Sequence, residues 1–305
     1  MLKLDLKGVI PPMITPLTPD GQIDAAGVQR LVDHVIDGGV SGLFVLGSSG
    51  EGPTLPRHER DVAVRAFVAA TRGRVPILVG VGETGTARTL EAVEDAESAG
   101  ADAVVVMTPL YFLDADERYV ARHVHAVAAT ATVPLLLYNI PQVTGNRFTP
   151  ALIRELGQLP NVIGLKDSSG DWDAFLAILD AAKSRDLRVF QGAEDLIARS
   201  VLAGADGSVP GLANLAPRLV CDLVAAAKDG DAARANALQQ TLDRLGKLHE
   251  EGFWLAALKE AVSCLGICGP TTGLPIRPVD AAGRAQIARL VSEAGLSVDS
   301  LGPPA

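Results

Sequence analysis

Cysteine is scarce in this chain of 305 residues, with Cys221, Cys264 and Cys268 its only three. Three thiols so placed make no disulfide framework, and without a Cys/His quartet at ligand spacing no metal site is expected. Cys264 and Cys268, four residues apart, are expected on one helix as packing residues. Basic residues are outnumbered, 27 Lys and Arg against 36 Asp and Glu, for a net charge of −9. That balance excludes the broad basic surface phosphates require, so no nucleic-acid partner is expected. Long apolar runs are missing as well. Stretches such as Ala103–Met107 and Val133–Leu137 fall far short of the roughly 20 residues that span a bilayer. The opening Met1–Gly8 alternates charge with leucine and does not read as a signal peptide. A soluble cytoplasmic protein without a membrane partner is expected.

What is present is an ordinary globular balance, 48% hydrophobic and 21% charged. A chain of this length buries most of its apolar surface without covalent staples. Short aliphatic runs, most of them opened by Gly or Pro, alternate with stretches of helical period. The runs are Gly8–Thr15, Gly42–Leu46, Pro76–Val81, Ala103–Met107, Pro134–Ile140, Val162–Lys166, Arg188–Gln191 and Gly207–Pro210. Between them lie amphipathic segments such as Ala25–Asp37, Arg57–Thr71, Thr86–Ala99, Glu117–Ala129 and Asp173–Lys183. Strands this apolar suit a parallel sheet buried on both faces. Eight of them, most followed by a helix, predict an α/β (β/α)8 TIM barrel rather than an open sheet. The barrel, carrying the active site, is expected over residues 1–230. From residue 231 to 305 the pattern is helical only, an extension packed on the barrel that ends in a loose Gly302–Ala305 tail.

Barrel chemistry gathers at the C-terminal ends of strands, so polar residues that interrupt apolar runs there are the candidates. Lys166 closes the sixth run, Val162-Ile163-Gly164-Leu165-Lys166. A lysine cation inside a barrel mouth is costly unless it is used, and a neutral amine there forms a Schiff base with a keto acid. Pairing with Asp167 at the strand exit is the structural alternative. Tyr138 ends the fifth run, one β/α unit earlier, where a phenol can carry protons beside such a lysine or simply pack. The loop Gly47-Ser48-Ser49-Gly50-Glu51-Gly52 follows the second run. Its small residues let backbone N–H groups close on a carboxylate, or make a plain β/α turn; Glu51 reads as a structural anchor. Gly80-Val81-Gly82-Glu83-Thr84-Gly85 matches a dinucleotide fingerprint, but it sits in the third β/α unit and the next strand supplies no acid for a ribose. No cofactor is expected. His123 and His125, two apart on a helix, point to different faces and make a poor metal pair.

Taken in order, Gly47-Ser48-Ser49-Gly50-Glu51, Tyr138-Asn139-Ile140-Pro141 and Gly164-Leu165-Lys166-Asp167-Ser168 resemble the dihydrodipicolinate synthase / N-acetylneuraminate lyase family. The resemblance runs from Gly8-Val9-Ile10-Pro11-Pro12 to the C-terminal helices. It implies that Lys166 forms an imine with pyruvate or a 2-keto acid and that Tyr138 shuttles protons. Ser48 and Ser49 then take the substrate carboxylate, with Ser49 also counted in the catalytic group. Tyr111 matches a tyrosine that some members lend across a dimer interface. Gly192, Glu194 and Asp195 fall where neuraminate lyases bind sugar hydroxyls, and Val209 belongs to the eighth-strand wall. A homotetramer, built as a dimer of dimers, is implied.

The departures separate the branches. Synthases of this family usually read Tyr-Asn-x-Pro-Ser-Arg-Thr, with the arginine meeting the carboxylate of aspartate semialdehyde. Here that slot is Val143, which cannot donate a guanidinium's paired hydrogen bonds. Val143 and Lys166-Asp167-Ser168 are more similar to aldolases acting on 2-keto-3-deoxy sugar acids and 4-hydroxy-2-oxoglutarate. The expected activity is a class I, pyruvate-dependent carbon–carbon lyase. The alternatives are a dihydrodipicolinate synthase with a substitute for the arginine, a keto-acid dehydratase or deaminase, and a binding protein without turnover.

Overall fold

The computed structural model describes residues 4–111 and 116–296. The expected loose tail at Gly302–Ala305 and the first three residues of the chain lie outside the described residues.

Strand and helix alternate along the chain. β1 (Gly8–Val9), α1 (Ala25–Asp37), β2 (Leu43–Val45) and α2 (Arg57–Thr71) open it. β3 (Ile77–Gly80), α3 (Thr86–Ala99), β4 (Ala103–Met107), α4 (Glu117–Thr130) and β5 (Leu135–Asn139) follow. Two short helices, α5 (Pro141–Thr144) and α6 (Pro150–Leu156), precede β6 (Val162–Asp167). Then come α7 (Trp172–Lys183), β7 (Arg188–Gln191), α8 (Ile197–Leu202), β8 (Gly207–Ser208) and α9 (Pro217–Lys228). α10 (Ala232–Gly246), α11 (Trp254–Ser263) and α12 (Ala281–Glu293) complete the described chain. α11 ends at Ser263, so Cys264 caps it and Cys268 lies beyond it. The expectation that both thiols share one helix is therefore corrected; Gly266 at φ +70 carries the turn between them.

All eight strands are parallel, ordered β1-β8-β7-β6-β5-β4-β3-β2. Beyond this ladder, the segment after β1 meets β2. Phe44 N–H donates to Pro11 C=O at 2.9 Å, and Met13 N–H donates to Phe44 C=O at 2.8 Å. Asn214 holds the seam from the other side, its Oδ1 accepting from Ile14 N–H and its Nδ2 donating to Pro12 C=O, each at 3.0 Å. The fold is TIM-barrel-like.

Strand alternation sorts the core into two clusters. Ile10, Phe44, Leu78, Val105, Leu136, Tyr138, Phe190 and Val209 pack together inside the curled sheet. Their neighbours Val9, Leu43, Val45, Val104, Leu137, Leu165 and Val189 face the helices. α1 shows why the helices dock: Val28, Leu31, Val32 and Val35 form one buried stripe. The Asp24 carboxylate starts it by accepting from Gly27 N–H at 2.9 Å. Each such aliphatic side chain is worth roughly 2 kcal/mol when fully removed from water.

Candidate active site

Tyr138 and Lys166 are the penultimate residues of β5 and β6 and stand directly opposite each other in the parallel register. Alternation sends both inward, while Asn139 and Asp167, also paired in register, face the other way. Asp167 is not the partner of Lys166. Its carboxylate accepts from Asn139 Nδ2 at 2.6 Å, from Ser169 Oγ at 2.7 Å and from Ser169 N–H at 3.1 Å. The structural alternative raised by the sequence therefore does not apply.

Lys166 is 4% exposed, and among the described residues its amine makes neither an ion pair nor a hydrogen bond. Aromatic faces meet it instead: Nζ lies 4.1 Å from the Tyr138 ring centroid and 5.2 Å from that of Phe44. Those two rings pack edge to face, 6.0 Å apart at 87°. Among the described residues the Tyr138 hydroxyl likewise makes no hydrogen bond. Gly192, just past β7, makes the room. A Cβ there would stand 2.9 Å from Lys166 Cε and 2.0 Å from Ser168 Oγ.

The Gly47–Gly52 loop turns back on itself through hydrogen bonds to Gly47 C=O from the Gly50 and Gly52 N–H groups, at 3.0 and 3.2 Å. Gly52 is required here, since a Cβ would stand 2.0 Å from Leu46 O. Thr15 Oγ donates to Gly50 C=O at 2.7 Å. Ser49 is buried and Ser48 half-buried. Among the described residues, neither the amide nor the hydroxyl of either serine is engaged in a hydrogen bond. The loop thus has donors available for an anion.

The remaining candidates are spread more widely. Val143 is on α5, 52% exposed; α5 is tied to the β6 loop by Gln142 Nε2 donating to Ser168 C=O at 2.7 Å. Arg147 is exposed. Glu194 is half-buried and spans two later segments, accepting from Leu212 N–H at 2.7 Å and meeting His249 Nε2 at 3.2 Å. Burial would lower the His249 pKa, but the hydrogen bond and charge of Glu194 outweigh it and raise the value. Asp195 is exposed, and Val209 is buried in the interior cluster beside Tyr138 and Phe190. Tyr111 is 78% exposed with φ +80, away from the Lys166–Tyr138 pair's own register.

The third-unit glycine motif is used structurally. Burial opposes ionisation of Glu83, but hydrogen bonds from Arg60 at 2.5 Å and Arg88 at 3.0 Å hold its carboxyl below the usual range. His123 is buried against Thr86 Oγ at 3.0 Å from Nδ1, whereas His125 is exposed beside Glu155. Among the described residues no cluster of three His, Cys, Asp or Glu could hold a metal ion, and no helix is long and apolar enough to cross a membrane.

Sequence reasoning missed Lys259. It lies on α11 with no exposed surface, paired with Glu51, and donates to Thr271 C=O at 2.7 Å. The available signal was its setting, a single cation among Leu255, Ala256, Ala257, Leu258, Ala261 and Val262.

The sequence profile of the dihydrodipicolinate synthetase family matches residues 5–294. The chain belongs to that family. YagE of Escherichia coli K12, provisionally named a 2-dehydro-3-deoxy-D-gluconate aldolase, is 35% identical over 291 residues, covering 94% of this chain and 96% of that protein. A 4-hydroxy-tetrahydrodipicolinate synthase of Phenylobacterium zucineum is 36% identical over 294 residues, covering 95% and 98%. The crystal structure of YagE in complex with pyruvate superposes with a TM-score of 0.91 at 34% identity, covering 95% of this chain and 99% of that one. A dihydrodipicolinate synthase from Bacteroides thetaiotaomicron superposes equally well, at 0.91 and 34%, covering 96% and 100%.

Proposed function

We propose that this protein is a class I, imine-forming carbon–carbon lyase that reversibly cleaves a 2-keto-3-deoxy sugar acid or 4-hydroxy-2-oxo acid to pyruvate and an aldehyde. The observation that carries this reading is the Lys166 amine, buried inside the sheet beside the Tyr138 ring and free of any carboxylate among the described residues. The pyruvate complex of YagE supports a keto acid as ligand.

In the proposed reaction the neutral amine of Lys166 adds to the C2 carbonyl, and the Tyr138 hydroxyl gives up its proton as water leaves, so that a protonated imine and a phenolate result. The Tyr138 phenolate takes the proton of the C4 hydroxyl as the C3–C4 bond breaks, and that electron pair flows into the imine, forming an enamine. The aldehyde departs. The enamine takes a proton at C3 from the Tyr138 hydroxyl, and water hydrolyses the protonated pyruvate imine, which releases neutral Lys166 and returns the proton to the phenolate. Ser48 and Ser49, with their unengaged donors, would hold the carboxylate. Gly192, Glu194, Asp195, Val209 and Val143 would line the remainder of the substrate site. No cofactor takes part in these steps.

The same reading takes residues 1–230 as a closed (β/α)8 barrel bearing the site and residues 231–305 as its packed extension. Contacts from that extension to the barrel support the division: Gln239 Oε1 accepts from Ala198 N–H at 3.0 Å, and its Nε2 donates to Glu194 C=O at 2.8 Å. It further takes the protein as a cytoplasmic homotetramer, a dimer of dimers in which Tyr111 completes the proton relay of a neighbour. The exposure of Tyr111 supports that assignment.

The deciding test is borohydride reduction with pyruvate, followed by peptide mass spectrometry. A reduced pyruvate adduct on Lys166 is expected. Lys166→Ala should lose both the adduct and turnover while still unfolding cooperatively. Tyr138→Phe should still be trapped, with cleavage slowed by about 10²-fold or more. An unmodified Lys166 in folded wild-type protein would sink the mechanism. The synthase reading has the 36%-identical Phenylobacterium relative in its favour. Condensation of pyruvate with aspartate semialdehyde, in preference to cleavage of 2-keto-3-deoxygluconate or 4-hydroxy-2-oxoglutarate, would establish it.

A further inference from the structure

The loop that bears Ser48 and Ser49 begins and ends on strained backbone. Leu46 has φ +56 and Glu51 has φ +57, left-handed values that neither residue type adopts without cost. Such a conformation persists only when the surroundings impose it. At Glu51 the imposing contacts are visible. The Glu51 side chain is 1% exposed and that of Lys259 is fully covered. Oε1 of Glu51 pairs with Lys259 Nζ, and Oε2 accepts from Gly273 N–H at 2.7 Å. Lys259 in turn donates to Thr271 C=O at 2.7 Å. One carboxylate therefore connects the serine loop to α11 and to the segment that follows it, more than two hundred residues away in the chain.

A buried ion pair is a poor source of net stability, because desolvation consumes most of the attraction. What it supplies is geometry: two charges satisfied in one arrangement only. We propose that Lys259 and Glu51 form a latch that positions the Gly47–Gly52 loop for the keto-acid carboxylate. They are positioning residues for imine formation, acting through Ser48 and Ser49 without touching substrate. The proposal rests on the imine reading above. A loop held in its binding conformation before the anion arrives spends no binding energy on ordering. Released from the latch, the loop can relax from φ +57 and its two serine amides diverge.

Two variants test this. Glu51→Gln keeps the shape and an acceptor for Gly273. Burial already pulls the Lys259 amine below the ordinary lysine range against the pull of Glu51, so Lys259 can go neutral when that charge is removed. The double variant Glu51→Gln with Lys259→Met removes both charges. Three quantities are read on each folded protein: the pyruvate concentration giving half-maximal borohydride trapping at Lys166, the trapping rate at saturating pyruvate, and the rate with acetone, a ketone lacking a carboxylate. The latch predicts a rise of about tenfold or more in half-saturating pyruvate. The saturated rate and the acetone rate should stay close to wild type. A pair that merely fastens the C-terminal helices would lower the melting temperature and leave half-saturating pyruvate unchanged, which would overturn the proposal. Equal losses with pyruvate and acetone would overturn it too, by showing general damage to the site. Wild-type protein that traps no pyruvate would overturn the imine reading itself, and the role of the latch with it.

Discussion

A methyl group on Gly192 would collide with Lys166 Cε and with the Ser168 hydroxyl, at 2.9 and 2.0 Å. The lysine thus keeps its place over the two rings partly because its neighbour just past β7 has no side chain. Such contacts lie inside any real van der Waals distance, so either the lysine or the strand end must move. Gly192→Ala should slow pyruvate trapping at Lys166 by about tenfold or more. Trapping indistinguishable from wild type would show that the amine tolerates displacement. At this scale the sequence was plain for one pair and faint for another. Lys166 and Tyr138 were legible because each interrupts an apolar run at the same strand position. Lys259 was not, because a lysine beside Glu260 on a helix reads as a solvated face until the fold turns it inward.

Most elements could be read from the chain because their physical causes are local. α1 starts at the capping Asp24 and α4 at Asp116, α3 lies between Gly85 and Gly100, α2 follows Pro56, and each strand falls on one of the runs. The helices α5, α6 and α9 escaped. Four residues hold too little period for α5. α6 and α9 each carry proline at the first turn, and Thr149 caps α6 by accepting from Leu152 N–H, signals that were present in the sequence. β1 and β8 are shorter than their apolar runs, although Ile10 N–H still donates to Ser208 C=O at 3.0 Å and Val209 N–H to Gln191 C=O at 2.8 Å. α5 matters most for specificity. It is tethered to Ser168 C=O and carries Val143 on an exposed face. Val143→Arg should shift condensation toward a carboxylated aldehyde, read as the ratio of kcat/KM for a carboxylated and an uncharged acceptor. A ratio that does not move would remove position 143 from substrate recognition.

Across the whole molecule, the burial of His34 and His123 ties stability to acid, and the effect is larger at His123. Burial lowers the His123 pKa from 6.5 to about 4. As pH falls below 6.5 the unfolded chain takes up a proton that the folded chain refuses until about 4. Stability from this residue is therefore complete above 6.5 and is lost on the way down to 4, amounting to about 3 kcal/mol. His123→Gln should flatten the melting temperature across that window relative to wild type, and parallel curves would refute the assignment. The seam of the sheet has a consequence of another kind. β1 finds its ladder partner in β8, and Asn214 hydrogen-bonds back to Pro12 and Ile14. During synthesis the first strand has left the ribosome long before residue 207 is made. The nascent chain must carry an unpaired, aliphatic strand edge through most of its translation, the kind of edge that recruits other chains. Fragments ending before β8 should therefore aggregate as they emerge, so quality control of this protein falls on its final third.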